Sequence, residues 1–257
     1  MHFLRSILTL SCWLVTSLLA AQSVQRIPSG EVKQLLKKLN VLGSVLYVAA
    51  HPDDENTRLI AYYANEKLFN TAYLSATRGD GGQNLIGPEI RENLGLIRTQ
   101  ELLEARRIDG GAQFFSRAND FGYSKNPIET LSIWDKEKVL EDFVRVIRTV
   151  KPDVIITRFN TLSGTTHGHH TTSALLALEA FDLAGDSSVY PDQLKTLEVW
   201  QPKKLFWNTS SWFYARNKVK FNPEGLYSIN VDTYNPNLGI SYTEMAAQSR
   251  SMHKSQG

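Results

Sequence analysis

The chain has 257 residues, 42% of them hydrophobic and 21% charged, which suits one large α/β domain and argues against a disordered or fibrous protein. The formal net charge is +2, and no basic block or RNA-type aromatic motif stands out, which argues against nucleic acid as a partner. Cys12 is the single cysteine, so an internal disulfide and a thiolate metal site are both excluded.

Residues 1–21 differ from the rest. Arg5 gives a positive start, residues 7–19 are mostly apolar, and Ala20-Ala21-Gln22 offers small residues for cleavage. This layout predicts a signal peptide over residues 1–21 and a secreted or periplasmic protein. The apolar core falls short of the roughly 20 residues of a comfortable membrane span, so no stable span is expected after cleavage. An uncleaved anchor is the alternative. Cys12 sits midway through the apolar core, which argues against lipidation. Residues 22–257 read as a single domain.

Residues 25–40 are polar with spaced leucines, a helix leading into the first strand. Residues 44–50 form that strand, an apolar run stopped by Pro52, which lacks the amide donor a central strand needs. Asn56 is a fitting N-cap for a helix over 57–65. Residues 70–77 read as a second strand, ending in the glycine-rich loop 78–84. Helical spacing over 91–109 is closed by Gly110-Gly111. Residues 112–115 make a short strand, and 119–132 read as a polar loop. An amphipathic helix spans 136–150, a buried strand 154–157, and a helix 171–184. Further strands are expected at 204–207 and 226–231, with a short helix at 242–251. Strands alternating with helices predict an α/β fold, Rossmann-like, with a mostly parallel sheet and helices on both faces.

Two polar clusters follow strands in this frame, His51-Pro-Asp-Asp-Glu55 and His167-Gly-His-His170. Both fall at the carboxyl edge of the sheet, where open α/β sheets bind ligands. Residues three apart at a helix start can point the same way, so His51 and Asp54 can converge, and His170 can approach them from the neighbouring loop. Two imidazoles and one carboxylate suit zinc and leave a fourth position for water. Asp53 is then placed to take a proton, and His167 to hold a developing oxyanion. The acids have a simpler reading as helix-capping groups favoured by the macrodipole. His169 is an alternative ligand to His170, or a surface residue. The 78–84 loop lacks the Lys-Ser/Thr of a phosphate-binding loop and the spacing of a dinucleotide fingerprint. Arg78, Asp80 and Arg98 are candidate substrate contacts, although Arg78 also has Asp80 and Glu101 as structural partners. Trp207, Trp212, Phe213 and Tyr214 are core aromatics or sugar platforms.

Ala50-His-Pro-Asp-Asp-Glu55 resembles the signature of the PIG-L/LmbE-type zinc de-N-acetylases. The resemblance continues through Thr77-Arg78-Gly79, Arg98-Thr-Gln-Glu101, Lys151-Pro-Asp-Val-Ile-Ile156 and the second histidine cluster, covering about residues 43–185. It implies a Rossmann-like fold and removal of acetyl groups from N-acetylglucosamine units. It implies Zn2+ on His51, Asp54 and His170, Asp53 as general base, and His167 as oxyanion stabiliser. One departure stands out. The family commonly has His-Pro-Asp-His where this chain has His-Gly-His-His, so His169 replaces a carboxylate that would orient His167. The rival functions are hydrolysis of another bond, such as a phosphoester or a different amide, and non-catalytic carbohydrate binding in the envelope. The last seven residues show no helix cap or closing strand, which leaves open a complete domain or a chain cut short. His253 is either a late contributor to the site or incidental.

Overall fold

The structure is a computed structural model that describes residues 27–216 and 218–257. The expected signal peptide and Cys12 lie outside the described residues. The elements in chain order are α1 (Ser29–Lys38), β1 (Ser44–Ala49), α2 (Thr57–Ala61), β2 (Asn70–Ser75), α3 (Glu92–Asp109), β3 (Ala112–Phe115), α4 (Pro127–Ile133), α5 (Lys136–Val150), β4 (Val154–Thr157), α6 (Gly168–Leu183), β5 (Lys204–Trp207), α7 (Ser211–Arg216), β6 (Tyr234–Asn235), β7 (Ile240–Ser241) and α8 (Tyr242–Arg250). Among the described residues no helix is long and apolar enough to cross a membrane.

Five parallel strands form the main sheet in the order β3-β2-β1-β4-β5. This is the Rossmann-like, doubly wound α/β arrangement expected from the strand–helix alternation. All six residues of β1 are buried, as an interior parallel strand covered on both faces requires. Leu46 and Val48 point into a core shared with Leu140, Phe143 and Ile147 of α5 and with Leu176 of α6. Val45, Tyr47 and Ala49 point the other way, toward Leu59 and Ile60 of α2 and Leu102 of α3.

Local signals set several boundaries. The Asn56 side chain accepts from the Leu59 amide at 3.2 Å, as its N-cap role predicts. The helix it starts changes character at once, since Tyr62–Glu66 form a π-helical turn that widens its end. Gly110 closes α3 at φ +79°. A capping box of Ser241 and Glu244 opens α8.

Two stretches differ from expectation. Residues 119–132, read as loop, contain α4, which starts on Pro127 with Asn126 as its N-cap. Residues 226–231, read as a strand, form none. Their alternation is real, but Leu226, Tyr227 and Ile229 stay exposed, and Tyr227 lies against Phe206 of β5 at 5.8 Å instead of extending the sheet.

The C-terminal residues are packed into the domain. Arg106 of α3 bridges Glu55 (3.3 Å) and Asp109, whose carboxylate also accepts from Ser249 of α8 at 2.7 Å. His253 Nε2 lies 2.8 Å from Glu55, and Ser255 donates twice to Glu101 at 2.7 Å. These side chains are almost fully buried, so each charge depends on its partner. Replacing Arg106 with methionine strands Glu55 and Asp109 without their cation. The expected cost is about 3–5 kcal/mol, read as a lower urea midpoint with an unchanged slope.

Candidate metal centre and cleft

The strand order reverses between β1 and β4, and the loops leaving their carboxyl ends diverge there. His51, Asp53 and Asp54 come from the turn after β1. His167 is the N-cap residue of α6, and His169 and His170 lie in its first turn. A cleft of about 840 Å³ opens over Asp53, Asp54, His167 and His170, walled by Asn208, Trp212 and Arg250 among others.

Asp54 binds two imidazoles. Its Oδ2 accepts from the His51 amide at 2.8 Å and lies 3.0 Å from His51 Nδ1, while its Oδ1 lies 3.4 Å from His170 Nε2. The three residues expected as ligands are therefore neighbours, but the donor atoms that lie within 4.8 Å of one another here are those of His51, His167 and His170, with Asp54 bonded to the first and near the last. Phe159 stacks on His170 at 3.8 Å and fixes its plane. The Tyr73 hydroxyl donates to the His51 carbonyl, which anchors the turn.

Electrostatics leave most of these rings as neutral bases. Burial pushes His170 down to about 3, with His51 and His167 adding to the effect against Asp54. Burial and the neighbouring His51 push His167 down to about 4. Burial also opposes charge on His51, but Asp54 and Asp120 outweigh it and raise that ring. Burial acts on Asp54 the other way, yet His170 and His51 hold its carboxyl well below the usual range. Neutral imidazoles beside an ionised carboxylate are the form in which these groups bind a metal.

Asp53 is kept apart from this cluster. Arg98 donates to its Oδ1, and Arg250 lies 3.8 Å from Oδ2 while donating to its carbonyl. Arg98 is itself buried and also donates to the Gly79 carbonyl at 3.0 Å. A Cβ on Gly79, whose φ is +72°, would sit 2.5 Å from the guanidinium, and one on Gly82 would sit 2.4 Å from it. The glycine-rich loop is thus wrapped around an arginine, which gives its glycines a reason other than phosphate.

Arg98, taken from sequence as a substrate contact, reaches the site as the partner of Asp53. Arg78 and Asp80 lie outside the main cleft, in a separate depression with Leu96 and Arg117. Arg78 bonds Thr99 at 3.2 Å and lies over the Phe115 ring, rather than pairing with Asp80 or Glu101. Of the four aromatics, Phe213 is core and Trp207 packs beside it, whereas Trp212 is 56% exposed at the cleft.

His169 is fully buried. Its Nδ1 lies 3.2 Å from His51 Nε2 and 3.7 Å from Asp120, and its ring stacks on Trp134 at 4.9 Å. It therefore supports His51 from behind and forms a second histidine–carboxylate grouping with His51 and Asp120. Gly168 also has a local cause. Its amide donates to the Ser124 carbonyl at 2.7 Å, and a Cβ there would lie 2.4 Å from the Asn126 carbonyl oxygen. Proline would lose that donor. Sequence reasoning missed Asp120. Its signal was its place just beyond a parallel strand, β3, at the same sheet edge as the two clusters.

With this geometry in hand, comparison with known proteins is direct. A mycothiol S-conjugate amidase of Streptomyces coelicolor is 29% identical over 179 residues, covering 64% of this chain and 60% of the relative. A 1D-myo-inositol 2-acetamido-2-deoxy-alpha-D-glucopyranoside deacetylase of Streptomyces scabiei is 30% identical over 183 residues, covering 64% and 55%. The chain thus spans 55–60% of the length of these two curated relatives. In three dimensions it is similar to the N,N'-diacetylchitobiose deacetylase of Pyrococcus horikoshii, with a TM-score of 0.60 at 16% identity, covering 91% of this chain and 82% of that one, a likeness of fold. The sequence profile described as PIG-L: GlcNAc-PI de-N-acetylase matches residues 46–181, more than half of the chain, and the protein belongs to that family.

Proposed function

We propose that the protein is a zinc-dependent hydrolase that removes the acetyl group from an N-acetylglucosamine-type sugar or glycoconjugate. The observation that carries this reading is the grouping of Asp54 and His170 on the cleft wall with buried His51 against Asp54 behind them, beside a carboxylate, Asp53, that is held by Arg98. The names of the curated relatives, a deacetylase and an amidase, support an amide as the bond cut. If the predicted signal peptide over residues 1–21 is read together with this activity, the substrate is met outside the cytoplasm.

The donor set fits zinc. It offers two imidazoles and a carboxylate, and His170 Nδ1 and His167 Nδ1 are buried with no hydrogen-bond partner. His51, Asp54 and His170 would hold the ion, which supplies Lewis acidity to the amide carbonyl and to water. Asp53 has one oxygen tied to Arg98 and the other facing the cleft without a short hydrogen bond. In this reading that second oxygen takes a proton from the attacking water and returns it to the leaving amine. His167, neutral because of burial, donates an N–H to the tetrahedral oxyanion. The C–N bond breaks, and acetate and the free amine leave.

Asp53→Asn should lower kcat for acetate release by a factor of about 10²–10⁴ while zinc content stays unchanged. Wild-type turnover in that variant would remove the base assignment. The double variant His51→Ala, Asp54→Ala should purify without zinc by elemental analysis. Full zinc occupancy there would remove the ligand set. A chelator should abolish wild-type activity, and added Zn2+ should restore it.

A further inference from the structure

The rim of the cleft carries more cations than its acids can neutralise. Four arginines line it: Arg58, Arg158, Arg216 and Arg250. Its three acids, Asp53, Asp54 and Glu55, are all committed, to Arg98, to the histidines, and to Arg106 with His253. Arg250 is in turn held on Asp53. Arg58, Arg158 and Arg216 have no side-chain hydrogen bond or ion pair among the described residues. Elsewhere, Arg106, Arg107, Arg117 and Arg145 each bind a carboxylate, Arg78 and Arg148 bond neutral oxygens, and Arg91 has no side-chain partner among the described residues. The cleft thus gathers three guanidinium groups without a protein partner where a substrate must pass.

Their placement is defined by the fold. Arg158 directly follows β4, next to the Phe159 that stacks on His170, and its guanidinium lies 5.7 Å from the Phe213 ring. Arg216 ends α7 and lies 5.4 Å from the ring of exposed Trp212. Arg58 sits in the first turn of α2. Aromatic faces lie beside two of these side chains and leave their N–H groups without a protein partner, open to solvent or a ligand. Guanidinium forks in this state match the paired oxygens of a phosphate or carboxylate.

We infer that Arg58, Arg158 and Arg216 form an anion subsite in the cleft, which receives a phosphate or carboxylate substituent carried by the N-acetylated substrate. This inference rests on the deacetylase reading for its substrate, but the subsite has a binding readout of its own. It narrows the substrate to acidic amino sugars, with Trp212 beside Arg216 as the apolar surface for the sugar ring.

The test uses the zinc-loaded full chain with three compounds: N-acetylglucosamine, its 6-phosphate, and N-acetylmuramic acid, which carries a carboxylate. At least one acidic compound should show a KM about tenfold or more below that of the neutral sugar, the size expected for one charge-assisted contact. The acidic-to-neutral ratio of kcat/KM should fall toward one in the triple variant R58Q/R158Q/R216Q and with added salt. Preference for the phosphate or for the carboxylate then identifies the anion. Arg216→Gln alone, at an exposed helix end, gives the same readout if the triple variant misfolds. Equal use of all three compounds, or a preference that survives the substitutions, overturns the subsite. If no compound releases acetate, the deacetylase reading fails. Calorimetry with N-acetylglucosamine 6-phosphate and with N-acetylmuramic acid then decides the subsite separately: binding of either that the variants abolish supports it, and binding that they leave unchanged, or none of either in the wild type, overturns it.

Discussion

The site depends on one topological constraint, the reversal of strand order between β1 and β4. Parallel neighbours whose crossovers run to opposite faces must part at their carboxyl ends, and the gap between them cannot be closed by the chain itself. The turn after β1 enters this gap from one side and the start of α6 from the other. Short contacts knit the two together, from Asp54 to His170 and from His51 to His169. Strand β1 behind the turn is wholly buried, so the turn has a rigid base, and the Tyr73 hydroxyl on the His51 carbonyl fastens it there.

Three consecutive carboxylates in this turn meet three different fates, and their partners decide which. Asp54 faces imidazoles. Asp53 faces Arg98, presented by α3 through the glycine-rich loop. Glu55 points inward to Arg106 and His253 and ties the C-terminal residues to the back of the turn. Three neighbouring carboxylates are thus separated by their partners into one among imidazoles, one on a buried guanidinium and one in a structural ion-pair network. Arg98 is central to the separation, because it holds Asp53 away from the two histidines that bind its neighbour.

The parts of the molecule that follow from one-dimensional pattern were legible in the sequence. Apolar runs bounded by Pro and Gly mark β1, β2 and β4. The i, i+3 spacing marks α3 and α5, and Asn56 and Gly110 mark helix ends. What required three dimensions was mostly partner choice. Residues 226–231 alternate as a strand does, but alternation alone supplies no neighbouring strand to pair with. Arg78 and Arg98 are both candidate substrate contacts in sequence, yet Arg98 is swallowed by the loop that Arg78 begins. Asp120 carries no motif and joins His51 and His169 only through folding of the β3 loop. Trp212 and Phe213 are adjacent aromatics, and helix α7 turns one out to the cleft and the other into the core.

The parallel sheet also governs the order in which the molecule can be made. β1 pairs with β4 across more than a hundred residues, and His51 and His169 are 118 positions apart. Contacts of such separation carry a large loop-closure cost, and sheets built from them form slowly. Neither half of the histidine cluster is a binding site alone, so a partly folded chain presents isolated imidazoles and carboxylates rather than a chelate. On the proposed zinc-binding reading, tight capture of a metal ion would be a late event in folding, and metal retention would double as a report that β1 and β4 have found each other.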